Sequence, residues 1–425
     1  MKAAAFLYPW DVVGDPEAPA RLVALGIRQV TLASAYHSTR ALTPRHPRHR
    51  VVTAEHAAVL YPPGERWRGR VPRPYAAGEW APGDAYGEAA QALGDAGIAV
   101  HSWVVLAHNS RMGAEHPATS VVNAYGDRYP WAPCVAQPAT RAYLVDLAAE
   151  AAVRPGTGTR GAELESCGWY GLAHLHAHDK TAGVALGEAG QYLMSLCFCA
   201  SCREGYAEQG LDPDTLTAAV RRALEPVWRG EEPAGGWEAV EKLLGAEMAA
   251  ATRAWREQTA RTLQEAAVAA VRKSAARERA VPKPAARERT VPKSAAIESA
   301  AREHAVREPA PQDFRVLLHA DPLPYRCGAN VGVDPAHILS VADGVVVPCT
   351  GGAQALAPFH AHRSPGAVLA ANFTVVSGMG GRPAALADDA ARAAALGADE
   401  LRLYHAGLAS DADLAHVAAA LSRVE

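Results

Sequence analysis

The sequence predicts an α/β protein, a (β/α)8 TIM barrel with a helical, partly disordered insertion after the fourth strand. Three observations lead there. Short apolar runs alternate with amphipathic helical runs along most of the chain, as in a parallel sheet covered by helices. Roughly eight such units can be counted, the number that closes a barrel. The alternation breaks once, for about 150 residues after the fourth unit, which marks an insertion. A doubly wound open sheet is the competing arrangement, because strand order cannot be read from sequence.

The strands are taken in order. The first spans Ala3–Val12, followed by a helix over Pro16–Leu25 that Gly26 closes. The second, Gln29–His37, precedes a Pro/Arg/His-rich excursion and a helix over Ala85–Ala96. The third, Ile98–Asn109, precedes a loop and a helix over Ala139–Val153, and the fourth is Gly161–Cys167. After the break come Phe314–Asp321, Gly344–Cys349, Ala367–Val376 and Glu400–Leu408, with helices near Pro335–Val341, Ala353–His360, Pro383–Leu396 and Asp411–Val424.

The whole chain reads as one barrel, with residues 168–311 inserted. Leu216–Trp228 and Trp237–Lys273 carry apolar residues at helical spacing and are expected to pack on the outside of the barrel. From Lys273 to Pro311 the character changes. Lys273–Pro282 (KSAARERAVP) is repeated as Lys283–Pro292 (KPAARERTVP), charged, punctuated by proline and poor in large apolar side chains. Such a stretch buries too little to order itself and reads as a flexible linker.

Composition narrows the class. With 425 residues, 49% of them hydrophobic, the chain can bury a large core. A net charge of -3 gives no reason to expect a nucleic-acid partner. No apolar run approaches the roughly 20 residues that cross a bilayer, and Met1–Trp10 reads as a strand rather than a signal segment. A soluble, cytoplasmic protein with no membrane partner is expected. Whether it is a homo-oligomer is left open.

Seven cysteines, three of them in Cys197-Phe198-Cys199-Ala200-Ser201-Cys202, do not form a secreted disulfide framework. Three thiolates so close can converge on one tetrahedral Zn²⁺ if a fourth ligand arrives from elsewhere. Cys134, Cys167 and the histidines of His174-Leu175-His176-Ala177-His178 are the candidates. A closed, sulfur-rich site of this kind is structural.

Chemistry in a barrel of this type sits at the C-terminal ends of the strands. The polar residues there are Trp10, Asp11, Tyr36, His37, His108, Asn109, Glu163, Glu165, Asp321, Asn372, Tyr404 and His405. Glu163 and Glu165 share one face of strand four, and outward they would be buried beneath the helices without partners, so inward is favoured. Glu165 then lies nearer the mouth. The alternative for the pair is a structural ion pair inside the barrel. Asp321 ends the neighbouring strand, and two carboxyl groups across a sugar are the minimum equipment for glycoside cleavage. Trp169 and Tyr170, with His176 and His178 just beyond, offer the ring faces and polar groups a sugar contacts.

The run from Cys134 to Cys202 resembles the zinc-containing β-galactosidases among the retaining glycoside hydrolases, and the uncharacterised glycoside-hydrolase-like barrels around them. In those enzymes a cysteine after strand three precedes a helix and a strand with a catalytic acid, and Cys-x-Cys-x-x-Cys follows. The resemblance implies Cys134 as the fourth metal ligand. The galactosidases end strand four in Asn-Glu and act with a glutamate on strand seven, where this chain has Ser166, Cys167 and only Asn372. Their acid and nucleophile do not carry over. Gly161-Ala162-Glu163-Leu164-Glu165 resembles instead the Gly-x-x-x-Asp strand ending of other glycoside-hydrolase-like and amylase-like barrels. That similarity implies chemistry at Glu165, with Asp321 as a partner on strand five.

The expected function is therefore cleavage of a glycosidic bond by Glu165 and Asp321, on a carbohydrate substrate held by the residues named above. Two alternatives are a degenerate barrel that binds carbohydrate without cleaving it, and a metal-dependent hydrolase or lyase using His174, His176, His178 and Asp179. A third is a non-enzymatic interaction protein built on the inserted helices.

Overall fold

The computed structural model describes residues 1–172, 179–181, 183–280 and 314–424. Eight parallel strands form the barrel: β1 (Lys2–Leu7), β2 (Gln29–Tyr36), β3 (Ala99–Val105), β4 (Gly161–Glu165), β5 (Arg315–Asp321), β6 (Gly344–Pro348), β7 (Val368–Thr374) and β8 (Glu400–Tyr404). Each pairs in parallel with the next, and β1 pairs with β8 (Lys2↔Glu400) as well as with β2 (Ala4↔Gln29), so the sheet closes. Closure disposes of the open-sheet alternative. It also leaves no exposed edge among these strands.

Several strands stop earlier than their apolar composition suggests, for local reasons. Strand one ends at Leu7 rather than Val12 because Pro9 cannot donate to a ladder and opens a 3₁₀ turn over Pro9–Asp11. Strand four ends at Glu165 because Ser166 is left-handed, with φ of 56°. The excursion after β2 has structure of its own, a hairpin of Thr39–Leu42 with Val51–Ala54. In the insertion, Gly245 (φ 82°) divides the expected helix Trp237–Lys273 into Trp237–Leu244 and Ala246–Ala280.

The second of these runs on to Ala280, into the stretch read as linker from residue 273. Ala, Arg and Glu are strong helix formers, and the helix continues to Ala280, the last described residue before this gap. The rest of that stretch, from residue 281, lies outside the described residues. The long helix packs lengthwise against the helix Pro138–Ala151, in the outer layer. No helix among the described residues is long and apolar enough to cross a membrane.

Side chains alternate along each strand, one set to the helices and one into the barrel. Inside, Leu317, Val346, Val368 and Ala370 form a small apolar cluster. Beside it lies a polar layer. The fully buried Glu163 accepts from Arg402 Nε at 2.8 Å and from Thr31 Oγ1 at 3.1 Å, and Arg402 Nη1 donates to Glu400 at 2.8 Å. Burial opposes the charge on Glu163. The Arg402 guanidinium, with ring nitrogens of His101 and His319 each 3.8 Å from the carboxylate, outweighs it and holds the carboxyl well below the usual carboxylate range.

This arrangement makes a stability prediction. Arg402→Met strands a charge inside the barrel and is expected to lower unfolding free energy by about 3–5 kcal/mol in urea titration, whereas Glu163→Leu with Arg402→Met recovers most of the loss. Equal loss in the single and double variants would contradict the pairing.

Candidate functional site

One layer above Glu163, β4 presents Glu165 at the C-terminal mouth. Its side chain is buried, and both nearby donors converge on one oxygen: Trp103 Nε1 to Oε2 at 2.8 Å and Tyr404 OH to Oε2 at 3.2 Å. His319 Nδ1 stands 3.6 Å from the same atom. Among the described residues no donor takes Oε1, and Glu165 lines the mouth cavity. That oxygen is the one left for a ligand.

The cavity holds about 460 Å³, of the size that takes a small ligand. Its inner wall is aromatic and polar, built from Tyr8, Tyr36, His37, Tyr170, Tyr404 and His405. Tyr8 OH is 3.0 Å from both Tyr36 OH and His405 Nδ1. The rings of Tyr36 and His37 stack at 4.2 Å, and those of His108 and Tyr170 at 4.3 Å. Glu165 is the single carboxylate among the described residues that line it.

Burial sets the charge state of the wall. It raises the Tyr404 phenol well above its ordinary value, reinforced by Glu165, and raises Tyr36 and Tyr170 likewise. It lowers His37, and takes His405 down to about 3 with His37 adding to the shift. Near neutral pH the wall therefore offers protonated phenols and neutral imidazoles, able to donate and accept hydrogen bonds beside ring faces.

Two non-glycine residues among those described have positive φ: Ser166 at 56° and His405 at 61°. Both line the cavity, and each directly follows a residue of the Glu165–Tyr404 contact. Such conformations cost on the order of 1–3 kcal/mol and concentrate where a site needs a particular geometry.

The other residues singled out in the sequence are dispersed. Trp10 is buried and stacks on Tyr8 at 4.6 Å behind the wall. Asp11 accepts from Tyr8 N at 2.9 Å and faces a separate, small cavity beside Arg45; burial raises it to about 7 against those two partners. Asn109 caps the helix Ser110–Glu115 by accepting from Met112 N. Trp169 donates to the Arg256 carbonyl, facing the inserted helices. Glu163 is sealed in its ion pair. The Asp321 carboxylate accepts from Leu323 N at 2.8 Å, stands 3.6 Å from Arg326 and does not line the mouth cavity. His174, His176 and His178 lie outside the described residues.

Three contributors escaped the strand-end reading: Tyr8, Trp103 and His319. The last two sit in mid-strand, and only their parity with the inward set points to them.

A second constellation lies away from the mouth. Cys134 meets Cys197, Cys199 and Cys202, all buried, with the four sulfurs within 4.8 Å of one another. Cys134 Sγ is 3.6 Å from Cys199, 3.6 Å from Cys202 and 3.7 Å from Cys197. These separations are far beyond a disulfide and close to the edge of about 3.8 Å that four sulfurs at 2.3 Å from a tetrahedral centre define. The cluster can hold a metal ion. Cys167 is buried apart from it.

No family model and no curated protein matches the chain. Solved structures do, at low identity. The catalytic domain of a β-amylase from Paenibacillus polymyxa matches at TM-score 0.54 and 10% identity, over 100% of this chain and 98% of its own. α-L-Fucosidase isoenzyme 2 from Paenibacillus thiaminolyticus matches at 0.50 and 11%, over 100% of this chain and 49% of its own. Gan42B, a GH42 β-galactosidase from G. stearothermophilus, matches at 0.50 and 12%, over 99% of this chain and 55% of its own. The chain thus spans about half the length of the last two. At this identity the likeness concerns the fold alone: the chain is a (β/α)8 barrel, the architecture these glycoside hydrolases also have.

Proposed function

We propose that the barrel mouth binds a carbohydrate and that Glu165 acts on its glycosidic bond. The observation that carries this reading is the pairing of an available carboxylate oxygen with an aromatic, hydroxyl-rich wall, flanked by two left-handed residues. Ring faces take the C–H surface of a sugar, while phenols and imidazoles take its hydroxyls. Glu165 Oε1 is the atom that would give a proton to the leaving oxygen or take one from water. Asp321, at the end of the neighbouring strand, is the partner carboxylate this reading assigns.

A second reading is favoured by one observation, that Glu165 is the single carboxylate among the described lining residues. In it the barrel binds carbohydrate without cleaving it. The two separate on a panel of 4-nitrophenyl glycosides with parallel calorimetry of the matching free sugars. Hydrolysis that falls about 10²–10⁴-fold in Glu165→Gln, with sugar binding kept, supports cleavage by Glu165. Binding without turnover in wild type selects the second reading. Activity unchanged in Asp321→Asn would remove Asp321 from the mechanism.

Zinc is the metal we assign to the four cysteines, in a structural role, since four thiolates leave no open position. Bound there, it would tie Cys134, after β3, to the insertion that follows β4. Metal analysis is expected to find one equivalent of zinc in wild type and little in Cys199→Ser; equal content in both would end this assignment.

His405 makes a pH prediction. Its folded pKa, about 3, lies below the ordinary value of 6.5, so the unfolded chain binds the extra proton between those values. Its contribution to stability is present above pH 6.5 and is lost as pH falls toward 3, at up to about 1.4 kcal/mol per unit. Denaturant midpoints for His405→Gln should depend less on pH than those of wild type in that window.

A further inference from the structure

The long helix Ala246–Ala280 buries Arg256, which is only 3% exposed. Its guanidinium lies over the rings of Tyr192, at 4.8 Å, and Trp169, at 5.6 Å. No carboxylate pairs with it among the described residues, and its Nε and Nη1 have no acceptor. Nη2 has one: the sulfur of Cys327, at 2.7 Å. A guanidinium does not lose its proton in a protein, and a buried one without a counter-ion is costly by several kcal/mol.

Cys327 differs from the other cysteines of the chain, being only partly buried where the other six are buried. It opens on a cleft of about 80 Å³ beside Glu188, Gln191 and Arg326. Glu188 is already engaged, accepting from Arg326 at 2.9 Å and from Gly236 N at 3.0 Å, so it does not neutralise Arg256. On its inner side the sulfur abuts Gly171, whose φ is 62° and where a Cβ would come within 3.3 Å of it. Gly328, the next residue, donates to the Trp169 carbonyl at 3.2 Å. The segment carrying Tyr170 into the mouth cavity thus rests on this site.

We infer that Cys327, held against the guanidinium of buried Arg256, is a site of reversible modification by small hydroperoxides reaching it through the cleft. Partial exposure beside a fixed cation is the environment of reactive cysteines. In the reaction the thiolate attacks the terminal oxygen of a hydroperoxide. An S–O bond forms as the O–O bond breaks, and the departing alkoxide or hydroxide takes a proton from water. Sulfur is oxidised by two electrons and the peroxide reduced by two. The product is a sulfenic acid that an external thiol can reduce.

The test uses the full chain at pH 7, with iodoacetamide time courses and peptide mass spectrometry on each cysteine. An ordinary cysteine is a few per cent thiolate at this pH, and stabilisation of the attacking thiolate by an adjacent cation, offset by lower intrinsic nucleophilicity, gives a gain of roughly 10-fold. Cys327 should therefore be alkylated about 10-fold faster than glutathione in the same buffer. Arg256→Gln should abolish that advantage and Arg256→Lys should retain most of it. Under dilute hydrogen peroxide, dimedone should label Cys327. A rate at or below that of glutathione in wild type overturns the proposal, as does no dimedone adduct. The wild-type rate decides the matter even if Arg256→Gln fails to fold.

Discussion

Glu163 is a carboxylate with no exposure at all in the centre of a barrel, and the strand packing around it is tolerable because Arg402 reaches across from β8. Isolating either charge there would cost several kcal/mol. Arg402 in turn is shared with Glu400, so the contact joins two strands that are four apart in the chain order of the barrel. Fixing β4 and β8 in this way also fixes what lies one layer higher. The next inward residues on the same two strands are Glu165 and Tyr404, and they meet. The polar interior thus works as a plinth for the mouth.

Much of the barrel was legible in the sequence because closure and alternation leave periodic traces: eight apolar runs, each followed by a helical one. The termini of the runs were less legible. Val12, Asn109 and Cys167 continue apolar stretches by composition, yet the strands end before them. Local backbone events decide these ends, Pro9 in one strand and the left-handed Ser166 in another. Periodicity carries no information about either. The linker boundary differs for a related reason: charge and low hydrophobicity argue against a packed core, but the same Ala, Arg and Glu residues favour a helix as long as no proline intervenes.

The candidate site divides along the same line. Glu165, Tyr36, Tyr404 and His405 stand at strand ends and were found by that rule. Tyr8 was passed over for Trp10 and Asp11, because a strand assumed to run to Val12 places its end too far along the chain. Trp103 and His319 are interior to their strands, yet they orient the carboxylate at the end of a third. Which side chains from different strands converge depends on the stagger of the closed sheet, which no single strand encodes.

The four cysteines and Cys327 show how differently one element behaves in two settings. In the cluster, four buried sulfurs face one another, an arrangement that answers to a metal ion bringing positive charge. At Cys327 the positive charge is already covalently part of the fold, on Arg256, and the sulfur stays open to small molecules. Metal would protect the first group by occupying its lone pairs. The second has no such protection, and that difference makes it the reactive cysteine of the chain. Both lie on the strand-four side of the barrel, in and around the insertion, where Trp169 and Gly171 connect the inserted helices to the mouth. Of the insertion, Tyr170 itself lines the mouth, and the inserted helices support it from behind through Trp169.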